Sequence, residues 1–128
     1  GNIMDYIFNF KGEEVELPKY SFTIANKLEK QEDMNVGNAS YQDKCKGMYN
    51  AVADIIGKDK IKELIGTFLQ CDPNEINILY LKVLETYNTP LNDFNMQRTN
   101  EMIDNANIES LKELLVTAEK AAKLKLND

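Results

Sequence analysis

The sequence predicts an α+β fold that is predominantly helical, an N-terminal β-hairpin followed by five or six helices. Apolar and polar residues alternate only near the N-terminus, whereas later apolar residues recur at the three- and four-residue spacing of amphipathic helices. The chain has 128 residues, of which 43% are hydrophobic and 28% charged, as expected of a globular domain. We therefore expect a single domain over residues 1–128, with the hairpin at 3–18 and the helical portion at 21–126.

The hairpin is predicted from an aromatic segment, a turn signal and a second alternating segment. Tyr6, Phe8 and Phe10 alternate on one face of the first strand. Gly12 supplies the residue of the turn that needs a positive φ, and Pro18 ends the second strand because it cannot donate to a ladder. A two-stranded hairpin is marginal in water and leaves a strand edge, so we expect it to pack on the helices or to pair in a homo-oligomer.

Three helices are predicted in the first half of the chain. Ser21 caps the first, which extends to about Glu32, and Ser40 caps the second, which ends with Gly57 in the C′ position. Asp59 opens the third. The residues predicted to face inward are Ile24, Ala25, Leu28, Tyr41, Cys45, Met48, Tyr49, Val52, Ile55, Ile56, Ile61, Leu64, Ile65, Phe68 and Leu69.

The clearest start signal in the chain is Asp72-Pro73, an N-cap residue followed by proline at the first helical position. We expect the helix that follows to be the central and most buried one, and Pro90 to stop it. A more polar helix over residues 91–106 and a last helix over about 107–126 complete the set. The apolar stripe of the central helix consists of Ile76, Leu79, Tyr80, Val83, Leu84 and Tyr87.

The last predicted helix carries the candidate partner-binding surface. Its leucines lie on one face together with small alanines, which would let a partner helix approach closely. The candidate residues are Leu111, Leu114, Leu115, Ala118 and Ala122. The alternative interpretation is that this stripe packs on residues 40–87 as part of the core.

The residue types on which most enzyme chemistry depends are scarce. The chain has no histidine and a single arginine, Arg98, so it lacks the Ser-His-Asp or Cys-His pair and the imidazole ligands of zinc. Its glycines form no phosphate-binding loop, and Cys45 and Cys71 are best read as small apolar residues, with a disulfide as the alternative. We therefore predict no catalytic residue, no metal and no organic cofactor. A hydrolase using two carboxylates stays open, because any two carboxylates can meet in a fold.

The charge distribution narrows the classes of partner. The formal net charge of -6 disfavours nucleic acid and anionic membranes. Residues 66–109 hold seven acids against Lys82 and Arg98, which indicates either a solvated surface or a face for a basic partner; the solvated surface is favoured. No apolar run approaches the roughly 18 residues of a membrane span, so we expect a cytoplasmic protein without a membrane partner.

Short motifs at residues 8–12, 17–19, 55–57 and 87–90 carry a family resemblance. They read Phe-Asn-Phe-Lys-Gly, Leu-Pro-Lys, Ile-Ile-Gly and Tyr-Asn-Thr-Pro. Over residues 4–92 the chain resembles tail assembly chaperones of tailed phages and prophages of low-GC Gram-positive bacteria. The resemblance implies a non-enzymatic protein of the bacterial host cytoplasm. It would bind the helical, apolar tape measure protein and keep it soluble while the tail tube assembles.

A second function stays open, that of a small acidic regulatory adaptor that sequesters another protein. The chaperone role requires apolar grooves and multivalency and no catalytic group, whereas the adaptor would sequester a host or phage protein. The gene neighbourhood separates them: a tape measure gene immediately downstream supports the chaperone, and a promoter-proximal regulatory setting supports the adaptor.

Overall fold

The structure, a computed structural model, describes residues 5–105. The elements in order are β1 (Ile7–Phe10), β2 (Glu13–Glu16), α1 (Phe22–Asn35), α2 (Tyr41–Ile56), α3 (Lys58–Ile65) and α4 (Pro73–Asn105). The α+β class and the N-terminal hairpin are thus confirmed. The described residues contain four helices, however, and not the five or six that were predicted.

The hairpin is an antiparallel pair in which Phe8 lies opposite Val15. Its turn residues, Lys11 and Gly12, have φ values of 51° and 81°, the signature of the turn type whose twist matches the flanking strands. The predicted role of the glycine is confirmed. Phe8, Phe10 and Val15 are buried, so one face of the hairpin packs into the core. Among the described residues no third strand joins this sheet, and homo-oligomerisation through its edges stays a prediction.

Both serine caps predicted in the first half of the chain are confirmed, whereas the third helix begins at Lys58, after Gly57, and not at Asp59. The hydroxyl oxygens of Ser21 and Ser40 each accept a hydrogen bond from the backbone N–H three residues later, at 3.3 and 3.1 Å. The first helix continues to Asn35, slightly beyond the predicted end at Glu32. The second ends at Ile56, and Gly57 closes it, as predicted.

The third helix is shorter than predicted. It ends at Ile65, because Gly66 adopts a φ of 91° that a residue with a side chain would rarely take. The chain then turns, and Leu69, which was predicted to face inward, is 83% exposed. Phe68 still packs partly against the core. The connection between α3 and α4 therefore presents a leucine to solvent.

The predicted stop at Pro90 is wrong, since α4 continues through it to Asn105. Residues 91–105 are a continuation of this helix and do not form the separate helix that was predicted. Proline has a helical φ, and its penalty of about 3 kcal/mol arises from one lost hydrogen bond and one local clash, which does not by itself end a helix. The compact unit that contains the hairpin and α1 to α3 ends at Pro90, and the rest of α4 belongs to a second unit.

The first half of α4 lies at the centre of the core of the first unit. Leu79 and Val83 have no exposed surface, whereas Ile78 and Leu81, on other faces of the helix, are half exposed. The Tyr80 hydroxyl donates to Glu32 Oε1 at 2.7 Å and thereby joins α4 to α1. The core consists of Phe8, Phe10, Val15, Leu17, Leu28, Cys45, Met48, Tyr49, Val52, Ala53, Ile55, Ile61, Leu64, Ile65, Ile76, Leu79, Tyr80, Val83 and Tyr87.

Candidate functional site

A small apolar cleft opens where the start of α2, the connection between α3 and α4, and the start of α4 meet. Its volume is about 260 Å³, room for one or two side chains of a partner. None of the side chains that line it carries a charge at neutral pH. They are Tyr41, Gln42, Cys45, Phe68, Leu69, Cys71, Pro73 and Ile76.

The helix geometry explains how these residues converge. Tyr41 and Cys45 are four residues apart on α2, and therefore neighbours on one face of the helix. Pro73 and Ile76 are three residues apart on the first turn of α4 and are also neighbours on one face of their helix. The Phe68 ring packs edge-on against the core, with its centroid 5.8 Å from that of the Tyr49 ring, and closes a third side of the cleft.

The cleft has a buried floor and an exposed apolar rim. Ile76 and Cys45 are only 2% and 3% exposed, whereas Leu69 and Tyr41 are 83% and 60% exposed. Water contact of so much apolar surface beside a cavity is unfavourable, and covering it with an apolar partner would remove that cost. The rim is therefore the part of the site that gains most from a ligand.

Several polar groups in and beside the cleft already have partners within the protein. The Asn77 side-chain N–H donates to the Tyr41 hydroxyl at 3.2 Å and to the Pro73 carbonyl oxygen at 2.9 Å. The Cys71 thiol donates to the Phe68 carbonyl oxygen at 3.3 Å. An incoming apolar group would consequently leave few hydrogen bonds unsatisfied.

Two groups of the cleft, the Cys71 thiol and the Tyr41 hydroxyl, are held in their neutral forms. Burial raises the pKa of the Cys71 thiol, and the carboxylates of Glu75 and Asp72 raise it further. The pKa of the Tyr41 hydroxyl is also raised, chiefly by its hydrogen bond with Cys45. At neutral pH these two side chains therefore present a thiol and a phenol to the cleft, and not a thiolate and a phenolate.

One carboxylate lies at the edge of the cleft, between two lining residues. Asp72 caps α4, and its Oδ1 accepts a hydrogen bond from the Asn74 N–H at 2.8 Å. Glu75, on the first turn of the same helix, forms an ion pair with Lys11 of the hairpin turn. Asp72 makes no such ion pair within the described part of the chain, so the edge of the cleft keeps a negative charge.

A larger groove between α1 and α2 is a weaker candidate for an apolar ligand. Its volume is about 620 Å³, but Lys27, Lys30 and Asp54 are among the side chains that line it. Lys27 Nζ and Asp54 Oδ2 are 2.9 Å apart and form an ion pair between the two helices. The groove is therefore charged and already crossed by an internal contact.

The cleft was not predicted from the sequence, which placed the partner-binding surface on the last predicted helix. The residues of that surface, Leu111, Leu114, Leu115, Ala118 and Ala122, lie outside the described residues. Tyr41 and Cys45 were assigned to a core stripe, and only Cys45 is buried. The signal in the sequence that could have indicated the cleft is Gly66. This glycine can end a helix, and two large apolar residues follow it shortly before the next helix starts.

A scan against family models, a search of the curated proteins and a search of the solved structures each find no match to this chain. The resemblance to tail assembly chaperones therefore stays a prediction. Within the described residues, no helix has the combination of length and hydropathy that crossing a membrane requires.

Proposed function

We propose that this protein is a non-enzymatic binding protein whose cleft receives apolar side chains from a helical segment of a client. The observation that carries the proposal is the combination of a buried apolar floor at Ile76 with a rim at which Leu69 and Tyr41 are 83% and 60% exposed. Amphipathic helices bind by placing a few large apolar side chains into such grooves. The neutral lining of the cleft fits that mode of binding.

The size of the cleft sets the strength of a single contact. Full burial of one leucine side chain contributes about 1.5–3 kcal/mol, which alone corresponds to weak binding. Useful affinity therefore requires several contacts in parallel. A long client that repeats its apolar anchors, engaged by more than one copy of this protein, would supply them through a high effective concentration.

The client that we propose is the tape measure protein of a tailed phage, in the cytoplasm of the bacterial host. That protein is expected to be long, helical and apolar, which matches the ligand that the cleft would select. The supporting evidence is the set of motifs at residues 8–12, 17–19, 55–57 and 87–90. A regulatory adaptor would use the same cleft for a different client, and the motifs favour the chaperone.

The test compares two exposed residues, only one of which lines the cleft. Leu69 and Phe22 are 83% and 85% exposed. The probe is a synthetic helical peptide of about 15 residues, a length at which helices become marginally stable, with leucines on one face and glutamines on the other. We expect Leu69→Ser to weaken binding about tenfold, because about 1.4 kcal/mol of apolar contact is lost, and Phe22→Ser to leave the affinity unchanged.

Both variants are expected to stay folded, because substitutions at exposed positions change stability by about 0.5 kcal/mol or less. Circular dichroism and urea unfolding of the two proteins check this. Equal affinities of the two variants for the peptide would contradict the proposal. The same pair applied to a co-expressed tape measure fragment tests the client: only Leu69→Ser is expected to reduce its solubility.

A further inference from the structure

We infer that the client helix carries a lysine or arginine beside its apolar anchor, and that this cation pairs with Asp72 while the anchor fills the cleft. The inference rests on the proposed function and specifies the chemistry of the partner. It follows from the position of one carboxylate, from the charges around it and from the absence of a basic side chain in the lining of the cleft.

The position of the carboxylate is fixed by the helix that it caps. Asp72 lies between Cys71 and Pro73, which both line the cleft. Its Oδ1 accepts a hydrogen bond from the Asn74 N–H at 2.8 Å, so the side chain is held in one orientation at the edge of the cleft. Its Oδ2 has no hydrogen-bond or ion-pair partner among the residues that the structure describes, and can therefore receive a cation from a partner.

The charges near the cleft favour a basic partner. The partial charge of about +0.5 at the start of α4 is more than offset by the carboxylate of Asp72. Glu75 forms an ion pair with the half-exposed Lys11, and Asp43, next to the lining residue Gln42, adds a further negative charge. A client helix with acidic residues beside its anchor would be repelled at this edge.

The field of these acids reaches into the cleft itself. The pKa of the Cys71 thiol is raised in part by Glu75 and Asp72, and Asp72 also contributes to the raised pKa of the Tyr41 hydroxyl. The effect on the affinity of an exposed pair is small, and the charge acts mainly on specificity and on the rate of association. The quantity to measure is therefore the ratio of the affinities for a basic and an acidic client.

The experiment uses three helical peptides of about 15 residues with the same leucine face. Their polar faces carry lysine, glutamate or glutamine. Asp72→Asn is the test variant, because asparagine keeps the oxygen that caps α4 and removes the charge. The control is Glu85→Gln, which removes an exposed acid about 20 Å further along α4. At that distance, salt largely screens the effect of its charge on the cleft.

We expect the lysine peptide to bind more tightly than the glutamate peptide, and this preference to shrink with added salt. Asp72→Asn should reduce the preference about two- to fivefold, while Glu85→Gln leaves it unchanged. Binding of the glutamine peptide should be the same for both variants. An unchanged preference in Asp72→Asn, or an equal loss in both variants, would overturn the inference while leaving the proposed function in place. Failure of all three peptides to bind would overturn both.

Discussion

Replacing Leu79 with alanine is expected to lower the free energy of unfolding by about 2–5 kcal/mol. Leu79 has no exposed surface and lies on the stripe of α4 around which the core of the first unit is built. Truncation removes the transfer free energy of its methyl and methylene groups and leaves a cavity that the close-packed neighbours can only partly fill. Urea unfolding followed by circular dichroism measures the change.

The matched control is Leu81→Ala, two residues away on the same helix. Leu81 is 59% exposed, so we expect its truncation to change the stability by about 0.5 kcal/mol or less. Both variants replace leucine with alanine, so helix propensity changes equally in the two. The difference between their losses in the free energy of unfolding therefore measures the effect of burial. Similar losses of stability in the two variants would contradict the assignment of α4 as the central helix.

Gly47→Ala is expected to destabilise the protein, although alanine is the better helix former. Gly47 lies inside α2, where a Cβ would overlap the carboxamide of Gln31 on α1. Gln31 is only 6% exposed, and its Nε2 donates to Asn35 Oδ1 at 2.8 Å and to the Lys44 carbonyl oxygen at 3.1 Å. Displacing the carboxamide would break these hydrogen bonds at a cost of about 1–3 kcal/mol, which exceeds the propensity gain of about 1 kcal/mol.

A double-mutant cycle isolates this contact. In a Gln31→Ala background the Cβ at position 47 no longer meets a carboxamide, so Gly47→Ala should become stabilising by up to about 1 kcal/mol. The sign of the effect therefore reverses between the two backgrounds. If alanine at this position stabilised the protein in both, the close approach of α1 and α2 at Gly47 would be refuted.

The parts of the fold that follow from local chemistry were predictable. The caps at Ser21 and Ser40 need only a hydroxyl and nearby N–H groups. The turn at Gly12 needs only a residue that tolerates a positive φ. The buried stripe through Leu79 and Val83 follows from its spacing, because residues three and four apart lie on one face of a helix.

Two of the wrong predictions concern choices that depend on free-energy balances. Pro90 weakens a helix without preventing it, and the sequence alone does not show whether the helix continues. Gly66 was read as part of a helical pattern, and its φ of 91° ends that pattern instead. Leu69 consequently moves from the predicted core to the rim of the cleft.

The candidate site could not be derived in the same way. The cleft depends on how the start of α2 and the start of α4 approach each other, a tertiary contact between positions such as Tyr41 and Ile76 that are distant in the sequence. The spacing of apolar residues identifies the inward side of each helix. It does not show which part of that side the neighbouring elements leave uncovered. Ile76 illustrates the overlap, since it belongs both to the core and to the floor of the cleft.

Protection of Cys71 from a thiol reagent shows whether the cleft is the surface to which the client binds. Cys71 lines the cleft and is partly exposed, whereas Cys45 is buried. In the Phe22→Cys variant, the thiol introduced at the 85% exposed position 22 serves as an internal reference. At a saturating concentration of the leucine-faced peptide, we expect maleimide labelling of Cys71 to slow severalfold while labelling at position 22 keeps its rate. Labelling of Cys71 at an unchanged rate, with the peptide fully bound, would show that the client binds elsewhere.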